Sequence, residues 1–553
     1  MKLLKSSLLA SAAGFAAVAG AQAADLPVKK AAPIEYVRVC SAYGAGFFYI
    51  PGTDTCIRLS GRARLDVGYQ PTDSRSGSNG DTTGYIGLAR INVDARTQTA
   101  YGTLRAFVRL QFASRTGATG GLRSGTQERI GNAFGATGQD QNGRVQQFVN
   151  TDKAFIQFAG LTAGRASSFF DFYAHDFEFA GATANSDLQS TNLLAYTSKL
   201  GGSGLSATIS LEDPSFRRNT IYSQVFGANT TFTPAGSQVG INVANTGAPS
   251  PIFTGNGFSN VDVAQRNRMP DFVGVLRYDA AWGSAQISAA VKELNTGNFI
   301  SGAALGPNGT ALAPNLAGTG FAGLAGTLQR PASEYGWAVQ AGAKINMPFI
   351  APGDTLYLQG AYGEGATLYT GYSSYNGTYA SRASTINGAA FDPYMSDATL
   401  NPFTGKIELS TSFTVVGSFL HYWAPEWRSA VFASYGELNF ARGARAANAA
   451  VFQSTGSTGQ FTGVPGQVSF NVSPVLRDNY QIVAGASIIW SPVKDLDIGL
   501  EGFYTKVGVQ NGRVVDMTRS NGAVTAANIA NGSVRTVTAD DTFQLRARVQ
   551  RDF

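Results

Sequence analysis

The sequence predicts an all-β protein, a transmembrane antiparallel β-barrel of sixteen strands with short turns at one end and long loops at the other. Three observations carry this expectation. Apolar residues recur at every second position in many short runs, the connections alternate between tight and long, and the chain opens on an export leader and ends on an aromatic residue.

The leader comes first. Lys2 and Lys5 precede the run from Leu8 to Ala19, in which only Ser11 is polar, and the small-residue site Ala21-Gln22-Ala23 follows. Basic, apolar and small-x-small regions in that order form a secretory signal peptide, residues 1–23. The apolar run falls well short of the ~20 residues a spanning helix needs. Removing the leader takes two lysines from 42 basic residues, so 40 remain against 36 acidic ones, a net charge of +4. Single arginines alternate with apolar residues instead of clustering on one helix, so nucleic acid is not an expected partner.

Cys40 and Cys56 are the only cysteines of an exported chain. An even count in an oxidising compartment reads as one disulfide. Closing that loop would stabilise an N-terminal periplasmic segment, residues 24–56, by roughly 3 kcal/mol on the chain-entropy model. Two thiols with no nearby histidine make an incomplete zinc site.

The barrel is expected over residues 57–553. From Ile57 to Tyr69, the residues Ile57, Leu59, Gly61, Ala63, Leu65, Val67 and Tyr69 alternate with Arg58, Ser60, Arg62, Arg64, Asp66 and Gly68. This is the period of a strand with two unlike faces. The same pattern runs through residues 87–96 and 104–112, and further strands are expected near 151–159, 161–169, 191–200, 204–213, 272–280, 284–294, 335–347 and 355–366. Five more fall near 411–423, 428–440, 479–491, 497–508 and 541–553.

Tight connections such as Gly160, Ala281 to Gly283 and Pro492 to Asp495 alternate with long polar ones such as Pro214 to Pro270. Outer-membrane barrels have short periplasmic turns and long extracellular loops, so the asymmetry sets the orientation. Trp282, Trp423, Trp427 and Trp490 lie at short turns and Trp337 near a long loop, the placement of interfacial aromatic girdles. The last strand, Phe543 to Phe553, alternates to its final residue. Ending on Phe553 resembles the C-terminal signal by which outer-membrane barrels are recognised for assembly.

The segments Glu35-Tyr36-Val37-Arg38-Val39-Cys40 and Tyr43-Gly44-Ala45-Gly46-Phe47-Phe48-Tyr49-Ile50-Pro51-Gly52-Thr53-Asp54-Thr55-Cys56 resemble the N-terminal signature of the alphaproteobacterial general porins. The resemblance runs through the strands to Phe553. It implies a passive, water-filled diffusion channel for ions and small hydrophilic solutes in the outer membrane, assembled as a homotrimer, with no cofactor. It also implies lipid and lipopolysaccharide around the barrel, with periplasmic chaperones and the barrel-assembly machinery as transient partners. The long loops leave added surface functions open.

In such a barrel the polar set of each strand faces water and the apolar set faces lipid. Arg58, Arg62, Arg64, Arg90, Arg96, Arg105 and Arg109, with Arg546 and Arg548 of the closing strand, would form one basic wall in the lumen. The third loop, from about Phe170 to Ser190, carries Asp171, Asp176, Glu178 and Asp187 among aromatics. General porins fold this loop into the lumen, and by resemblance its acids would face the wall and set up a transverse field. The plainer alternative is that the arginines solvate the lumen or bridge to acids such as Asp66 and Asp94.

His175 and His421 are the only histidines and neither sits in a metal or nucleophile motif, so no enzyme is expected. A substrate-specific channel would show an inward stripe of aromatics and solute block of its current. A barrel acting as an adhesin would fail to conduct. The region from Asp25 to Cys56 is too short for the plug of a TonB-type transporter.

Overall fold

The computed structural model describes residues 38–71, 82–116, 138–139, 145–188, 190–202, 204–226, 231–232, 241–242, 258–262, 267–296, 299–300, 328–329, 332–372, 390–391, 393, 395–400, 406–445, 468–474, 476–516 and 518–553. The leader at 1–23 lies outside them. The chain forms two compact units, Met1–Ile57 and Arg58–Phe553.

In the first unit Cys40 and Cys56 are joined by a disulfide with Cα atoms 6.0 Å apart. Both are buried, with Phe47 beside them and Tyr43 and Tyr49 packed against the cluster. A two-residue strand, Phe48–Tyr49, pairs with Ile57 and Cys56.

The second unit is a closed antiparallel barrel of sixteen strands. In chain order these are β1 Cys56–Tyr69, β2 Thr83–Thr99, β3 Gly102–Thr116, β4 Val145–Phe158, β5 Leu161–Ala166, β6 Thr191–Lys199, β7 Leu205–Glu212 and β8 Asp271–Ala280. They continue as β9 Gly283–Leu294, β10 Glu334–Asn346, β11 Thr355–Glu364, β12 Thr411–Ala424, β13 Trp427–Asn439, β14 Asn479–Val493, β15 Leu496–Val509 and β16 Ala539–Asp552. Each strand pairs with its chain neighbours, and β16 returns to β1 with Arg62 opposite Asp552 and Tyr69 opposite Leu545. All sixteen expected strands are present. β4 starts earlier than its expected 151 and β5 ends before its expected 169.

The wall has two solvents, and the burial pattern follows them. Leu65, Ile91, Ile156, Ile209, Leu276, Ile287, Val431 and Leu500 are exposed on the outside, whereas Asp66, Gln111, Gln286, Gln340 and Glu501 are buried on the inside. Apolar groups outside and polar groups within suit lipid around an aqueous lumen. The five tryptophans are all exposed. Trp427 and Trp490 are cross-strand partners whose rings stack 5.8 Å apart, as expected of a girdle.

Turn chemistry accounts for the short edge. At β4–β5 the two linking residues, Ala159 and Gly160, both have positive φ, 49° and 90°. Consecutive left-handed residues match a two-residue hairpin to strand twist, and only glycine takes that conformation freely. The long connections carry structure of their own. Ile221–Phe226 and Phe258–Asp262 of the β7–β8 loop form one small sheet with Ala398–Leu400 and Ile407–Leu409 of the β11–β12 loop, Ile221 pairing in parallel with Ala398.

Candidate functional site

Strand register assembles the arginines into one wall. On the inner face of β16, β1, β2 and β3, Arg548 stands opposite Asp66, Arg62 opposite Asp552, Arg96 opposite Arg105 and Asn92 opposite Arg109. The residues that alternate with them, such as Leu65, Ile91, Val108 and Val549, are exposed on the outer face. Arg58 is also exposed, near the start of β1.

Four carboxylates thread this wall. Asp94 receives both Arg96 and Arg105 as two-pronged pairs, with nitrogen–oxygen distances of 2.8 to 3.1 Å. Asp66 accepts Arg548 Nε at 2.6 Å and lies 3.2 Å from Arg64 Nε. Asp552 accepts Arg62 Nε at 2.6 Å, and Asp152 accepts Arg109 Nη1 at 3.4 Å. The bridging of arginines to Asp66 and Asp94, posed by the sequence as the plainer alternative, is therefore present. Arg105 also lies over the rings of Phe107 and Phe155, at 5.0 and 5.5 Å, which holds its guanidinium in one plane.

Sequence reading missed Asp552, and it missed Asp152 together with its neighbour Lys153. Pairing between β3 and β4 slips between Arg109 and Leu110: Arg109 opposes Lys153 while Leu110 opposes Thr151. Asp152 is thus the extra residue of a β-bulge, which shifts the alternation by one. Before the bulge Val149 is exposed outside, and after it Ile156 is. Asp152 and Lys153 consequently both reach inward, Asp152 to Arg109 and Lys153 Nζ to Ser167 Oγ at 2.6 Å. Two adjacent charged residues in an otherwise alternating strand were the available signal.

The third loop, residues 167–190, folds into the lumen. Its entrance is tied to the barrel by Glu212, which accepts Ser168 Oγ at 2.7 Å and the Phe169 amide at 3.1 Å. Ser190 Oγ donates to Asp152 at 2.7 Å at its exit. Between these points the loop spans from one wall to another. The Phe170 carbonyl accepts from Ser288 Oγ and Gln340 Nε2, both at 2.9 Å, on β9 and β10. On β15, Glu501 accepts the Phe179 and Ala180 amides at 2.5 and 2.8 Å. Glycines make room for this crossing: a Cβ at Gly342 would run into Phe172, and one at Gly499 into Phe179.

The loop meets the basic wall through its backbone. Arg546 and Arg548 both donate to the Phe179 carbonyl, at 3.3 and 3.0 Å, and the Arg548 guanidinium lies 4.6 Å from the Phe179 ring centroid. The expectation that the loop acids turn toward the arginines across the lumen is corrected here. Asp171 binds Arg217 Nη2 at 2.5 Å, and Asp176 accepts Tyr357 Oη from β11 at 2.8 Å. Glu178 accepts Tyr173 Oη at 3.0 Å and the Ala182 amide at 2.8 Å, and Thr183 Oγ1 also donates to it. Asp187 accepts from His175 Nδ1 at 2.9 Å. The physical reason is that a carboxylate shielded from water requires donors, and those within reach are the loop's own amides, hydroxyls and histidine for Glu178 and Asp187, Arg217 for Asp171 and Tyr357 for Asp176. Asp187 alone of the four also counts among the charges acting on Lys153.

His175 is partly buried and its second ring nitrogen meets the Thr183 carbonyl at 2.8 Å. Burial opposes its charge, but Glu178 and the bonded Asp187 outweigh this and push its pKa up to about 9. Partial desolvation moves the pKa of Asp176 upward from its ordinary value. His175 and Ala174 both have left-handed backbone, with φ of 57° and 46°, a strained turn that the surrounding bonds hold in place.

Other unforeseen charges brace the loops. Lys292 on β9 is buried and donates to Asp397 at 2.7 Å and to the Arg217 carbonyl at 2.6 Å. At the barrel seam, Phe553 exchanges backbone hydrogen bonds with Gly61, at 2.8 and 3.1 Å.

The family model described as "Porin subfamily" matches residues 25–534. This chain is a porin. Porin Omp2b of Brucella neotomae is 33% identical over 386 residues, 68% of this chain and 78% of that protein. Porin Omp2b of Brucella suis is 30% identical over 388 residues with the same coverage. Among solved structures, the outer membrane channel DcaP of Acinetobacter baumannii shares the fold, with a TM-score of 0.50 and 13% identity over 91% of this porin and 99% of that chain. The family and the barrel together place the porin in the outer membrane, as a channel for the diffusion of small solutes.

Proposed function

We propose that the porin selects among small hydrophilic solutes where the third loop crosses the lumen, with Arg62, Arg64, Arg90, Arg96, Arg105, Arg109, Arg546 and Arg548 as the charged side of the passage. The observation that carries this reading is the double attachment of the loop, by Phe170 to β9 and β10 and by Phe179 to β15 and β16. A strap held at both walls narrows the water path, and cations inside low-dielectric walls focus their field into it. The transverse field runs from the arginines to the Phe179 carbonyl and Asp187 instead of to four opposed acids. Passage needs no chemistry, cofactor or tight binding.

The remaining elements of this reading follow the family. The leader at 1–23 is removed on export, the disulfide-bearing segment at 24–56 lies on the periplasmic side, and residues 57–553 form the barrel. Asp171, Asp176, Glu178 and Asp187 act as constriction-loop acids by fixing the loop's shape, and Phe553 serves as the assembly signal read by chaperones and the barrel-assembly machinery. Three copies associate in a bilayer bearing lipopolysaccharide. Planar-bilayer recording of the detergent-purified oligomer tests the proposal. Ohmic steps, with a reversal potential that moves toward cations when Arg105 and Arg109 are neutralised, are expected. An unchanged reversal potential places these residues outside the selective region.

A further inference from the structure

Arg90 stands on the inner face of β2, alternating with the exposed Ile91. Among the described residues its guanidinium makes no hydrogen bond or ion pair, and its Nε is buried without an acceptor. A guanidinium carries five donors and cannot shed its charge, so an unpaired one in a confined space calls for an acceptor from elsewhere.

Its neighbours sharpen the demand. Gly61, the residue before Arg62, abuts the Arg90 carbonyl, which sets Arg62 beside Arg90 across the β1–β2 pair. Arg109 lies on β3 two residues from Gln111, the residue opposite Arg90, and faces Lys153 directly across β3–β4. Like charges placed opposite each other on one sheet face are unfavourable unless something screens them.

Among the described residues three acids bear on this patch, and each is occupied, Asp187 by His175 Nδ1 at 2.9 Å. Asp552 accepts both Arg62 Nε and Nη2, at 2.6 and 3.0 Å. Asp152 accepts from Arg109, Gln111 and Ser190, at 3.4, 3.0 and 2.7 Å. Among the described residues four cations, Arg62, Arg90, Arg109 and Lys153, stand against these three carboxylates, a surplus of positive charge around Arg90.

We propose that Arg90, flanked by Arg62, Arg109 and Lys153, forms a resting site in the lumen for a small oxyanion, hydrogen phosphate being the simplest that matches both the charge and the donors. The planar fork of Arg90 suits two oxygens of one phosphate. The β-bulge acquires a purpose, since without it Lys153 would point to the other face. Such a site holds its ion weakly enough to release it, as conduction requires. This inference rests on the diffusion-channel reading and adds an anionic solute class to it.

The test uses the full-length porin reconstituted in planar bilayers in potassium chloride, with inorganic phosphate added at constant ionic strength. The expected result is a saturating fall of the chloride current, about twofold at millimolar phosphate, a concentration that marks a weak site. Arg90→Gln is expected to weaken the block at least about tenfold, read against that variant's own phosphate-free chloride current, and Arg90→Lys to weaken it less. Arg551→Gln, on the outer face, is expected to leave it unchanged. Lys153→Gln provides a second route should the Arg90 variant not assemble, and it too is expected to weaken the block. Glucose 6-phosphate in a parallel arm separates a phosphoryl group carried on a solute from the free ion, and block by either one supports the site. Phosphate current that simply adds to chloride, or equal block in wild type and the Arg90 and Lys153 variants, overturns the proposal. Absence of any chloride conductance would instead sink the channel reading itself, so the two failures are distinct.

Discussion

His175 closes the neck of the third loop by pairing with Asp187, Nδ1 to Oδ2 at 2.9 Å, across twelve residues of chain that would otherwise be free to spread. The pair is partly buried, and the folded pKa of about 9 stands above the ordinary histidine value of 6.5. The stabilisation is therefore complete below pH 6.5 and is lost as pH rises through about 9. A shift of that size corresponds to roughly 3 kcal/mol held by the charged form. Single-channel traces are expected to be quiet at pH 6 and to flicker above pH 9. His175→Gln should flicker at both, and equal noise in wild type and variant across this range would show that the pair does not steady the loop.

Glu501 holds the far end of the same loop through two amide hydrogen bonds. Hydrogen bonds to a charged group contribute about 1.5–3 kcal/mol each, so Glu501→Ala removes enough to free the Phe179 tip. The expected outcome is a larger and more variable unit conductance, with faster hydrogen exchange at the Phe179 and Ala180 amides. Unaltered exchange would mean that Arg548 and the ring contact suffice on their own.

Gly342 offers a steric version of the same experiment. Its missing side chain is where Phe172 sits, and Phe172 in turn packs edge-on against Tyr357 at 5.6 Å. Gly342→Leu should push the ring and its loop off the β10–β11 wall while leaving the outer face untouched. The barrel is expected to remain heat-modifiable, with altered conductance. Loss of assembly would place Gly342 in the folding of the wall instead.

The strands were legible because lipid and water impose opposite demands on neighbouring side chains. A run such as Ile57 to Tyr69 satisfies both only as a strand with two faces, and the arginines of β1, β2, β3 and β16 could be assigned inward by parity alone. Parity also explains the failures. One extra residue at Asp152 reverses it, and nothing local announces which of two adjacent charged residues is the extra one. The partners of the loop acids were hidden for another reason. Tyr357 lies 181 residues from Asp176 and Glu501 lies 322 from Phe179, so the partners that draw the loop to its walls are not near it in sequence. The loop's direction came from family resemblance, whereas its seating depends on those distant groups.

Asp94 makes the charge balance of the wall testable in both directions. It holds two guanidiniums at once, those of Arg96 and Arg105, and both remain about a quarter exposed to the lumen. Asp94→Asn deletes one negative charge, and its single amide oxygen cannot serve both arginines. A unit charge about 7 Å from a passing ion in water is worth about 0.6 kcal/mol, roughly a threefold change in permeability ratio. The reversal potential in a salt gradient should therefore move toward anions in Asp94→Asn and toward cations in Arg105→Gln. High salt should shrink both shifts, because screening acts over ~3 Å at 1 M. If the two substitutions moved the potential the same way, their effect would come from displaced side chains, and the wall would not act through its charge.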